Sequence, residues 1–84
     1  MVRTAIPALG SYLRALRFER GWTQIDTASH ADISQTLVSQ LETGERSLTY
    51  AAAAALERAF GLLRGHLDPY VEAYPRDVGG GDGI

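Results

Sequence analysis

The chain has 84 residues, 45% of them hydrophobic, which suits one small domain with a modest core and leaves no length for a second. No apolar run approaches the roughly 20 residues of a membrane span and no continuous hydrophobic stretch resembles a secretory leader, so a cytoplasmic protein without membrane contact is expected. It has no cysteine, which excludes disulfides and thiolate chemistry, and its net charge of −2 weighs against a nucleic-acid partner, whose usual footprint is basic.

That charge is unevenly placed. The chain is neutral up to Arg46, and the whole deficit falls later, where Arg58, Arg64 and Arg76 are outnumbered by Glu57, Asp68, Glu72, Asp77 and Asp82.

Leu9, Tyr12, Leu13 and Leu16 recur at helical spacing and predict a first helix, with Pro7 compatible with its first turn and Gly21 placed to stop it. Phe18 lies opposite that apolar face and is expected to be exposed. Thr23 is a cap for a second helix, which carries Ile25 and Ala28 and ends near Asp32, a residue type that tolerates the left-handed turn.

Ser34 caps a third helix over residues 35–43, closed by Gly44. Wound at about 100° per residue, it places Leu37, Val38 and Leu41 on one side and Gln35, Thr36, Ser39, Gln40 and Thr43 on the other. A solvated face usually carries Lys and Glu, whereas this one is all amide and hydroxyl. Gln pairs bidentately with adenine, and Ser or Thr bonds base edges or phosphates, so the composition suits DNA. An ordinary amphipathic surface helix fits the periodicity equally well. Leu37 sits near the edge of the apolar side, where core packing and contact with a thymine methyl are the two alternatives.

Thr49 is placed to cap a fourth helix through the alanine run to Phe60, with Gly61 at its end. A last short helix is expected to begin at Pro69 and stop at Pro75, and the Gly-rich end, residues 75–84, to be a flexible tail. Leu63, Leu67, Tyr70, Val71 and Tyr74 form an apolar stripe richer than a terminal helix needs. It serves either a dimer interface, centred on Leu67, Tyr70, Val71 and Tyr74, or completion of the monomer core.

Two capped helices about a tight turn have the spacing of a DNA-reading helix-turn-helix. Leu13, Leu16, Arg17, Gly21, Thr23, Gln24, Ala28, Ser34, Val38, Leu41, Glu42, Gly44, Arg46, Leu56, Ala59, Phe60 and Gly61 together resemble the Cro and phage-repressor type of this motif, the xenobiotic-response-element family. The resemblance covers residues 9–62. It implies an all-α, lambda-repressor-like bundle of four to five helices, taken here as residues 1–74, that regulates transcription as a homodimer on a palindromic operator in double-stranded DNA. By the same resemblance Gln35, Thr36, Ser39 and Gln40 face the bases, while Gln24, Thr43 and Arg46 hold phosphates. Gln24 would also brace the first residues of the third helix, the one that reads the bases, and Arg17 and Glu42 would form a structural ion pair. The chain departs from the family pattern at Asp32, where Gly is usual, at Thr27, usually apolar, and at Leu48, which replaces a loop Pro.

His30 and His66 are too isolated to make a metal site and lack partners at catalytic spacing, so neither an enzyme nor a cofactor is expected. The tail glycines follow no strand and precede no Gly-Lys-Ser/Thr, which argues against a phosphate loop. Two function classes remain, a DNA-binding regulator, read as a repressor, and a protein-binding module of the same fold, antitoxin-like or antirepressor-like, favoured by the acidic charge.

Overall fold

A computed structural model describes residues 8–71, and every regular element in that span is helical. Four α-helices follow in order, α1 (Leu9–Arg20), α2 (Gln24–Ala31), α3 (Gln35–Thr43) and α4 (Tyr50–Phe60), and then a 3-10 turn, Asp68–Tyr70. The last helix expected from Pro69 is therefore only this turn, because Val71 leaves it in extended backbone, paired with Leu48. Tyr74, the proposed domain end and the tail lie outside the described residues.

Local chemistry sets most helix ends. The Thr23 hydroxyl accepts from Asp26 N–H while the Asp26 carboxylate accepts from Thr23 N–H, a reciprocal cap. Ser34 accepts from Leu37 N–H at 3.0 Å and Thr49 from Ala52 N–H at 3.1 Å. Asp32 ends α2 at φ 59°, the left-handed conformation that Asp tolerates better than most residues, so the turn survives without the family's glycine.

The core gathers Leu13 and Leu16 from α1, Leu41 from α3, Ala52, Ala53, Ala55, Leu56 and Phe60 from α4, and Leu48 and Leu67 from the loops. The alanines are thus more than helix filler, since three of the five face inward and their small size suits close helix packing. Thr27 is buried too, its hydroxyl donating to the Thr23 carbonyl at 3.0 Å, which is how a polar group occupies an apolar position without an unpaired proton. Leu48 is 1% exposed and plugs the core from the loop after α3. Gly10 explains how α1 approaches the end of α3: a Cβ there would fall 2.0 Å from the Glu42 carbonyl oxygen. Gly10 stands in the first turn of α1, and there the backbone contact requires a residue without a Cβ.

Two further clusters close the fold. Trp22 stacks on His30, centroids 4.0 Å apart, and on Phe60 at 5.4 Å, with the Arg20 guanidinium above Phe60 and bonded to its carbonyl. Near the end of α4, buried Glu57 accepts from Gly65 N–H at 3.0 Å and Leu67 N–H at 2.9 Å, which turns the following chain back onto the core. The Leu67 N–H is the main reason the Glu57 carboxyl is held below its usual range, against the opposing effect of burial. Leu67 is consequently 0% exposed. It belongs to the monomer core and has no surface to offer a second copy, which corrects its assignment to a dimer interface.

Candidate nucleic-acid interface

The unit formed by α2, the turn at Asp32 and α3 is held as a piece, because α2 and α3 pack more extensively on each other than on any other element. Ala28, Ala31, Val38 and Leu41 are buried in it, and Ile33 in the turn packs on the core. Leu37 also packs against the core while half-buried, so the core alternative describes it. Ile25, by contrast, is 62% exposed although it lies on α2.

The single charged side chain on α3, Glu42, is turned inward and only 1% exposed. Arg17 meets it with two bonds, Nε to Oε2 at 2.6 Å and Nη2 to Oε1 at 3.0 Å, the fork geometry that makes arginine and carboxylate a strong pair. Arg17 Nη1 also donates to the Trp22 carbonyl at 3.3 Å, and its guanidinium lies over the exposed ring of Phe18. Burial pushes the Glu42 carboxyl up, but the bonds from Arg17 and Gln24 and the charges of Arg17 and Arg14 outweigh it and hold the group below its usual range. Glu42 is therefore an ionised post to which α1 and α2 are tied.

Gln24 supplies the tie from α2, its Nε2 donating to Glu42 Oε1 at 3.1 Å. The side chain thus braces the end of α3, not its first residues, because Glu42 is the acceptor within reach and its second oxygen is already engaged by Arg17 Nε. Sequence reasoning missed Arg14, 3.7 Å from the same carboxylate and half exposed, and it missed Gly10, whose role depends on backbone far along the chain.

With Glu42 turned in, the outward side of α3 carries no charge. Gln35 and Thr36 are exposed, and Ser39 and Gln40 half-buried. Thr43, just beyond, is exposed and its hydroxyl donates to the Gln40 carbonyl at 3.2 Å. Gly44 reverses the chain and brings exposed Arg46 back over the helix end, where its Nε donates to Gln40 Oε1 at 2.9 Å. Amides, hydroxyls and one cation thus share a continuous strip, a composition able to donate to and accept from base edges and to meet a phosphate.

The histidines fall elsewhere. His30 stacks on Trp22, and His66 Nε2 is 2.7 Å from the Tyr12 hydroxyl, whose ring stacks in turn on Tyr70. Among the described residues no group of His, Asp and Glu is arranged to hold a metal, and no helix is long and apolar enough to cross a membrane.

Comparison with known proteins agrees with this geometry. A family model described as a helix-turn-helix domain matches residues 8–69, which takes in all four α-helices. The chain is also similar to the HTH-type transcriptional regulator PrpR of Mycobacterium tuberculosis, 42% identical over 53 residues. That match covers 63% of this chain but 11% of the relative, so it concerns the module and not the longer protein. The chain belongs to the helix-turn-helix domain family.

Proposed function

We propose that the chain is a sequence-specific DNA-binding transcriptional regulator, a repressor, whose α3 lies in the major groove. The observation that carries this reading is the uncharged amide and hydroxyl face of α3, left by turning Glu42 onto Arg17. In this reading Gln35, Thr36, Ser39 and Gln40 address base edges, and Gln24, Thr43 and Arg46 address phosphates. The regulatory description of PrpR and the helix-turn-helix match support it.

A small module without net positive charge gains little from counterion release, so two copies on a palindromic operator, with readers about 34 Å apart, give the affinity that one lacks. Leu63, 81% exposed, together with half-buried Tyr70 and Val71 and with Tyr74, supplies the surface for that homodimer. The acidic net charge favours a second reading, a protein-binding module of the same fold.

Selection of bound sites from a random DNA pool at low salt tests the first reading, and enrichment of one inverted repeat is the expected result. No enrichment, with a monomer in sedimentation at tens of micromolar, would put the protein-binding module ahead. Leu63→Glu should give a folded monomer with much weaker operator binding.

A further inference from the structure

Gln40 and Arg46 are six residues apart and on opposite sides of the Gly44 turn, yet their side chains meet. An arginine has only donors, so the bond at 2.9 Å fixes which end of the Gln40 amide faces it: the oxygen is toward the guanidinium and the two Nε2 hydrogens point away. Among the described residues neither Nε2 of Gln40 nor the Nη groups of Arg46 have a further partner. Gln40 is half-buried at its helix end, which limits its alternatives, whereas Arg46 is exposed.

We propose that Arg46 is a positioning residue that turns Gln40 into a hydrogen-bond donor toward DNA. The inference rests on the reading of α3 as the base-contacting helix. A free glutamine recognises adenine by using both ends of its amide, donating to N7 and accepting from N6. With one lone pair of Oε1 engaged in a charge-assisted bond, the amide meets the groove mainly through its N–H groups. The edges that suit it then are those that offer acceptors, O6 and N7 of guanine or O4 of thymine, and the adenine pairing is disfavoured. Arg46 itself spends Nε on Gln40 and keeps its Nη groups for a phosphate. One side chain thereby links backbone grip to base choice, a coupling that an isolated phosphate contact lacks.

Site selection from a random pool with the unaltered protein, Gln40→Ala, Arg46→Ala and the double variant tests this. The operator position whose preference is lost in Gln40→Ala is the one that Gln40 reads. The unaltered protein should favour guanine or thymine at that position, and Arg46→Ala should shift the preference toward adenine by about five- to tenfold, since a full bidentate contact is worth roughly five- to a hundredfold. In the Gln40→Ala background, Arg46→Ala should weaken all sequences alike. Both side chains lie off the core, and a melting curve for each variant checks the fold. Adenine at the Gln40 position of the unaltered protein, or an Arg46→Ala preference identical to it, overturns the inference and leaves the DNA-binding reading in place. So does a Gln40→Ala protein that loses no position. An unaltered protein that selects no sequence overturns both.

Discussion

Glu42 and Glu57 are alike in what they cost and unlike in how they are repaid. Each is a glutamate on a helix, the whole residue 6% and 4% exposed. Glu42 is satisfied by side chains from two other helices, Arg17 on α1 and Gln24 on α2, so it binds together elements distant in the chain. Glu57 is satisfied by backbone amides of the segment just after its own helix, Gly65 and Leu67, so it shapes a local turn. An ion pair that joins helices governs where α3 stands. An acceptor for backbone amides governs how the chain returns to the core. Damage at the first should spread to α3, while damage at the second should stay near residues 62–71.

The largest effect is expected from Arg17→Ala, which strands a buried carboxylate and should cost about 3 to 5 kcal/mol in chemical denaturation. A loss below about 1 kcal/mol would show that Glu42 does not depend on this partner. Glu57→Ala should cost less, about 1 to 3 kcal/mol, because it leaves neutral amides without an acceptor, that of Gly65 only part-buried, and strands no charge. Hydrogen exchange separates the two cases. Arg17→Ala should speed exchange along α3, and Glu57→Ala should speed it at Gly65 and Leu67 with α3 unchanged. Faster exchange in α3 for both variants would erase the distinction between regions.

Acid should act on both sites in one direction. Both carboxyls are held below their usual range in the folded chain, so their contribution is fully present above that range and disappears as the pH falls through the depressed values. Glu57→Gln should flatten part of this acid limb in a stability-against-pH series, and an unaltered limb would deny Glu57 a share in it. The smallest effect belongs to Arg14→Ala. At 3.7 Å and half exposed, its attraction for Glu42 is screened, and a change under about 1 kcal/mol is expected, against the large one for Arg17.

These two glutamates also mark the boundary of what the chain discloses by itself. Thr23, Ser34 and Thr49 act on amides three residues away, and Asp32 acts through its own backbone, so helix starts and the turn are written locally. Arg17 and Glu42 could be paired in advance only because the family pattern contains them. Nothing in the residue type of Glu57 announces that its partners are main-chain amides eight and ten positions on. The fate of Leu67 was hidden for the same reason, since an apolar stripe reads alike whether it meets a second copy or its own core. The contact between Arg46 and Gln40 depends on the path of the chain after Gly44, which spacing alone does not specify.

The stack around Trp22 gives the molecule an optical reporter. It is the single tryptophan of the chain, and its indole lies between an imidazole from α2 and a phenyl ring from α4, directly after the end of α1. Contact with a stacked imidazole is expected to dim its emission, and separation of the three helices should restore it. Emission at this one residue therefore follows the joining of α1, α2 and α4 without any label, in real time and at dilutions where calorimetry has no signal.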